Sequence, residues 1–292
     1  MKRYFVVLFA VSLWILIAAA GAQAESSVWV VKGPKASVYL AGSCHVLRAS
    51  DHPLPSEFDR AYAASNRIVF EAPPGEMEKP VYLQKLLLSA LYTDGSALKD
   101  HLDSAVWNKV QKFCRERHYD CDKYQMFRPW MFSLHLTMSE MSKIGVDQNY
   151  GVDRIFYQKA KNDRKSLDAL ETVDEQIGYL TLLDDDTGDA QISETIDELR
   201  ELNARFTDIL RAWRSGDEAG IAAFSSRELK NYPQLYSKLI VERNKRWLKD
   251  IERDIQGPVN TMIIVGVAHL AGPDSVIDLL RRRGYKVEKV QK

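Results

Sequence analysis

The chain has 292 residues, 40 Lys and Arg against 40 Asp and Glu, a formal net charge of zero and three cysteines. A neutral chain lacks the basic surplus that binding to nucleic acid requires, so that class of partner is excluded. The length suits one α/β domain with a large helical insertion better than a string of small modules.

The first 24 residues read as a signal peptide. Lys2 and Arg3 form a charged start, Phe5 to Ala20 is apolar, and Ala22-Gln23-Ala24 is a small-x-small cleavage site. The apolar run is short for a full membrane span, so an uncleaved anchor is the lesser alternative. No cysteine follows the cleavage site, which excludes a lipoprotein signal. Cleavage after Ala24 leaves 25–292 as a single domain without a membrane span, in the periplasm or secreted. In that oxidising setting Cys114 and Cys121 are close enough in sequence to close a small loop. Cys44 is the odd one, either a small buried apolar residue or a soft metal ligand.

In chain order, Val28 to Lys32 and Ser37 to Ala41 are two strands joined by Gly33-Pro34-Lys35-Ala36, a hairpin signal. Gly42-Ser43-Cys44-His45 follows, then a polar loop from Leu47 to Pro55. Ser56 caps a helix to Ala64, and Arg67 to Glu71 is a short strand ending in a carboxylate. A mostly helical insertion of about 76–255 comes next. It contains helices at Pro80–Tyr92, Ser104–Arg117, Pro129–Lys143 and Gly151–Lys161. Ser166 to Leu170 reads as a strand with Glu171 at its end, and Thr172 to Leu183 as a helix. Asp184-Asp185-Asp186 lacks the spacing of a calcium loop and reads as a polar turn. Ile192–Trp213 and Tyr236–Ile255 are long amphipathic helices. These helices are expected to form a lid on the sheet. His135, on an apolar helix, reads as a packed histidine rather than a ligand.

Met262 to Val265 is an uncharged, β-branched run, the pattern of a strand covered on both faces. Gly266-Val267-Ala268-His269 ends it, Pro273 and Asp274 open a helix through Arg283, Gly284 closes it, and Tyr285 to Val290 is a last strand. Gly266 is expected to let the backbone bend where a side chain would clash. Gly-x-x-His after an apolar strand therefore occurs twice, each time within strand, loop, helix and strand. The expected fold is α/β, a mixed and mostly parallel sheet built from two related halves with a large helical cap.

His45, Glu71, Glu171 and His269 all fall at predicted strand ends, the edge where ligands of α/β sheets bind. Two imidazoles and a carboxylate can hold a divalent metal with an open position for water. The plainer reading is that both histidines cap backbone carbonyls. No His-Glu-x-x-His, Gly-x-Ser-x-Gly or glycine-rich phosphate loop occurs. Arg243 can point into the site and hold an oxyanion, or pair with Glu171 or Asp153 as a structural bridge. Asp153, near a helix start, can simply cap it.

At these residues the chain resembles the TraB/GumN family. The matching motifs are Gly42-Ser-Cys-His45, Pro53-Leu-Pro55, Glu71, Arg128-Pro-Trp-Met131, Gly151-Val-Asp153, Leu170-Glu-Thr172 with Glu175-Gln176, Arg243-Asn244 and Gly266-Val-Ala-His269-Leu-Ala-Gly272. The resemblance extends to the Tiki metal-dependent peptidases and, in fold, to the erythromycin-esterase and haem-binding ChaN group. It implies a mixed α/β core with a helical cap and a site at His45, Glu71 and His269. The family often carries a second acid after the first glutamate, where this chain has Ala72-Pro73.

The resulting expectation is a metal-dependent hydrolase acting on a peptide or small molecule. His45, Glu71 and His269 would bind zinc, manganese or cobalt, Glu171 would move the proton of bound water, and Arg243 would neutralise the tetrahedral intermediate. The rival class is a non-catalytic binding protein for haem, metal or an envelope ligand. A third is an envelope-assembly helper with a degenerate site.

Overall fold

The computed structural model describes residues 26–182, 188–228 and 232–292. The signal-peptide stretch and Asp184–Asp186 lie outside the described residues. A six-stranded sheet forms the centre, in the order β6-β4-β7-β2-β1-β8. Its strands are β1 Val28–Lys32, β2 Ser37–Ser43, β4 Arg67–Phe70, β6 Ser166–Ala169, β7 Thr261–Gly266 and β8 Val287–Lys289. A two-residue pair, β3 Leu47–Arg48 with β5 Val146–Asp147, ties the loop after His45 to the helical region. Strands β6, β4, β7 and β2 run parallel to one another, and β1 pairs antiparallel with both β2 and β8. The fold is thus mixed, mostly parallel α/β.

Side-chain alternation assigns the sheet to two cores. Val28, Ala41, Ile68, Phe70, Met262 and Ile264 face one helical layer with Phe58, Phe156 and Trp213. Trp29, Val31, Leu40, Val69, Ile263 and Val265 face the other with Trp247, Leu248, Ile277 and Leu280. Every residue of β7 is buried. Each of its large side chains therefore contributes on the order of 1.5–3 kcal/mol by leaving water. A third core lies among the middle helices. Helix Gly188–Arg200 packs there on both Ser104–Arg117 and Pro129–Lys143, and the core includes Val110, Phe113, Phe132, Leu136, Ile192 and Ile196. Cys114 and Cys121 are bonded beside it, and Cys44 is free.

Strand β1 and helices Ser104–Arg117 and Pro129–Lys143 have the predicted limits, β2 runs two residues past the predicted Ala41 to Ser43, and several other elements differ. The single helix expected over Ile192–Trp213 is two, Gly188–Arg200 and Leu202–Ser215, because Glu201 leaves helical geometry at φ −109°, ψ 8°. Helix Glu218–Glu228 was not expected, since only Ile221 and Phe224 mark an apolar face in its described side chains. The last helix begins at Val276, not Pro273. Gly272 (φ +86°) and Asp274 (φ +58°) form a left-handed turn, and the Ser275 hydroxyl caps the helix by accepting from the Asp278 amide. Gly284 ends it at φ +86°, as the sequence implied. The two Gly-x-x-His halves also diverge at their last strand. β4 joins β7 in parallel, whereas β8 lies on the far edge against β1.

Candidate functional site

β2 and β7 are neighbours, with Ser43 opposite Gly266. This register brings the two Gly-x-x-His segments to the same carboxyl edge although nearly the whole chain separates them. β4, on the other side of β7, ends next to Glu71. Gly266 is extended at φ −50°, ψ 132°, a conformation open to any residue, so its backbone needs no glycine. Space is what requires it. A Cβ there would lie 3.0 Å from His45 Nε2, 3.4 Å from Glu71 Oε2 and 3.6 Å from His269 Cδ2. Three side chains from three strands thus converge on one point.

Each histidine is held through Nδ1. His45 Nδ1 lies 2.8 Å from Asp153 Oδ2, which also accepts from the Ser43 hydroxyl. A carboxylate only accepts, so Nδ1 bears the hydrogen and Nε2 is the exchangeable position. The Asp153 carboxylate raises the His45 pKa to about 9. His45 Nε2 is therefore occupied by a proton at neutral pH unless another cation displaces it. Asp153 reaches the loop because Gly151 permits it: a Cβ on Gly151 would be 2.0 Å from the His45 carbonyl oxygen. The Val152 amide then donates to Cys44 O at 3.0 Å. Gly151-Val-Asp153 is a clamp on the His45 loop.

His269 is held in the same manner by Asn244. The Asn244 Nδ2 donates to Asp274 O at 2.9 Å, which leaves Oδ1 to accept from His269 Nδ1 at 2.7 Å. Burial lowers the His269 pKa to about 3, so the ring is neutral and Nε2 carries a lone pair. Trp247 packs against the ring at 4.5 Å between centroids.

Glu71 and Glu171 share Arg243. Arg243 Nη2 donates to Glu71 Oε1 and to Glu171 Oε2 (2.8 Å), and Nε donates to Glu171 Oε1 at 2.9 Å. The Gly266 amide donates to Glu71 Oε2 at 3.0 Å. Burial by itself raises the Glu71 carboxyl. The histidines, the Arg243 guanidinium and the Gly266 amide outweigh it and hold Glu71 well below the usual carboxylate range. Glu171 also accepts from Gln176, Arg246 and Trp247 Nε1. Its side chain is 1% exposed, and both oxygens are filled.

His45, Glu71, Arg243, Gly266 and His269 line one cavity of about 570 Å³, whereas Glu171 lies behind Arg243. The His45 side chain, 59% exposed, faces its open space. A somewhat larger cavity of about 700 Å³ borders β6 and includes Glu171 but neither histidine. Among the described residues, no group of three or more His, Cys, Asp and Glu stands at metal-binding spacing. The donor chemistry nevertheless suits a divalent ion: two imidazoles with their Nδ1 hydrogens committed to acceptors, beside an ionised carboxylate. His135 packs against Tyr124 at 4.2 Å between centroids, away from this set. Asp153 and Asn244 are the site residues that sequence reasoning left out. Their signal was position alone, within Gly-Val-Asp and Arg-Asn.

The fold and this edge define an α/β protein with a histidine, carboxylate and arginine centre under a roof of helices. The chain belongs to the TraB/PrgY/gumN family, whose model matches residues 27–289. It is 23% identical to the uncharacterised protein YbaP of Escherichia coli strain K12, over 83% of this chain and 87% of that protein. It is 23% identical to metalloprotease TIKI2 of Danio rerio over 90% of this chain, and spans 61% of that protein's length. Against human metalloprotease TIKI1 the identity is 22%, over 91% of this chain and 62% of that protein. No solved structure matches the chain. No helix among the described residues is long and apolar enough to cross a membrane.

Proposed function

We propose that this chain is a divalent-metal-dependent hydrolase of peptides, acting in the periplasm or outside the cell. One observation carries the reading. Two histidines with Nδ1 tied to acceptors converge with Glu71 on the space above Gly266. The relatives named metalloproteases support it.

His45 and His269 would hold the metal through Nε2, with Glu71 as carboxylate ligand. When bound, zinc, manganese or cobalt supplies Lewis acidity and lowers the pKa of water. Asp153 and Asn244 fix the tautomers and aim the rings. Glu71 is kept ionised by Arg243 and the Gly266 amide. Arg243 borders the cavity and can neutralise an oxyanion or hold a substrate carboxylate. Glu171 was expected to move a proton. With both oxygens filled, it is assigned here to hold Arg243 in place.

The test measures metal content and cleavage of a broad peptide pool for the wild type, His45→Ala, His269→Ala and Glu71→Gln. Each substitution is expected to lower metal content and rate steeply. Metal retention and normal cleavage in both histidine variants would overturn the site. A wild type that binds no metal and cleaves nothing would favour the non-catalytic binding protein instead.

A further inference from the structure

The cavity has a polar floor and an apolar wall. The floor is the sheet edge with His45, Glu71, Arg243 and His269, and the wall comes from the helices above it. Met141, Leu199, Leu202, Phe206, Ile209 and Phe224 line that wall, contributed by four different helices. Among the described residues, the charged side chains lining it outside the floor are Glu198 and Arg205, and they pair with each other at 3.4 Å. Among the described residues the wall therefore offers no net charge to a ligand. An ionic group set against it would lose hydration without gaining a partner.

Cavity size and surface continuity point the same way. About 570 Å³ is the size of a small-ligand pocket, room for a few side chains rather than one. The apolar lining also runs out of the cavity. Met138 and Leu134 lie one and two turns before Met141 on helix Pro129–Lys143, and both are more than a third exposed. A ligand that fills the wall and follows this stripe is elongated and apolar.

From this we propose that the site takes an extended polypeptide segment with large uncharged apolar side chains beside the bond placed over the histidines, Ile209 being one of the residues that read them. The proposal rests on the hydrolase reading and adds the substrate class to it.

The experiment compares peptides of one length that differ only at the positions flanking the scissile bond: Leu or Phe, Lys, or Glu. Cleavage is followed by mass spectrometry as relative kcat/KM. Binding of the same peptides with that bond reduced to an amine is followed by fluorescence anisotropy. The Leu and Phe peptides should exceed the Lys and Glu peptides by about tenfold or more in both measurements, the scale on which an apolar pocket discriminates. Ile209→Ala should shrink that ratio. Ile209→Glu should invert it in favour of Lys, which a merely misfolded variant would not do. Cleavage without preference at any flanking position overturns the substrate class and leaves the hydrolase reading standing. Binding that prefers apolar peptides, depends on Ile209 and leads to no cleavage does the reverse. Neither binding nor cleavage overturns both.

Discussion

Replacing Arg243 with Met should be the most damaging single change near the site, and the hydrogen bonds set its size. Arg243, with its side chain 8% exposed, donates twice to Glu171 and once to Glu71. Met fills the volume but leaves Glu71 with the Gly266 amide and Gln176, and Glu171 with Gln176, Arg246 and Trp247. Removing one partner of a buried ion pair costs about 3–5 kcal/mol, because a buried charge is left uncompensated. For a domain of this size that corresponds to a fall of roughly 6–20 °C in Tm. The same reasoning fixes a second measurement. Glu171→Gln also breaks the pair, but the double variant removes both charges at once. It should lose less stability than the two single losses added together, by about 0.5–3 kcal/mol. Urea unfolding of the wild type, both single variants and the double variant closes the cycle. Strict additivity, or a loss below about 1 kcal/mol for Arg243→Met, would refute the claim that the cluster is a mutually dependent buried pair.

Three further outcomes follow from other parts of the molecule. Asp153→Ala frees the His45 ring, so metal affinity measured by titration calorimetry should fall about 10–100-fold; unchanged affinity would detach Asp153 from the site. Gly266→Ala has an acceptable backbone but sets a methyl 3.0 Å from His45 Nε2. Peptide cleavage should collapse while thermal unfolding shifts little, and a large drop in Tm instead would mean the glycine is structural. Glu140, 5% exposed, accepts from Tyr119 and Lys143 at 2.8 Å and lies 3.4 Å from Arg117. Burial raises its carboxyl, but these partners prevail and its folded pKa is lowered from 4.5. Its stabilisation is therefore present above pH 4.5 and lost as pH falls through the folded pKa. The stability gap between wild type and Glu140→Gln should close on acidification from pH 6 to pH 3, as read by urea unfolding.

The strands around the site were legible because their sequence signal is simple. Met262 to Val265 is buried on both faces, so it contains no polar residue to confuse the pattern. The two glycines marked where β2 and β7 meet the edge, and the histidines followed. A clash at Gly266 was legible, but the side chains that need the space were not, since His45, Glu71 and His269 come from three distant stretches of the chain. Glu201 breaks a helix without Gly or Pro, and the apolar spacing from Ile192 to Trp213 runs across the break unaltered. Asp153 looks like any acid in a first helical turn until the clamp brings it to His45. Glu171 at a strand end looked free to act; only the packing of Arg243, Arg246 and Trp247 reveals a filled carboxylate.

The pairing of β2 with β7 has a consequence for how the molecule comes into being. His45 and His269 stand on adjacent strands, yet Asp153 and Asn244, which aim them, lie on helices threaded between those strands in sequence. Contacts of such long sequence separation form late and slowly, because the intervening loop must be closed before they stabilise anything. Until β7 is made and docked, β2 and β4 lack their shared neighbour, and the two histidines have no common space to face. The cluster of His45, Glu71 and His269 is therefore not assembled at any stage short of completion. A fragment ending before Thr261 would keep most of its helices and have no site.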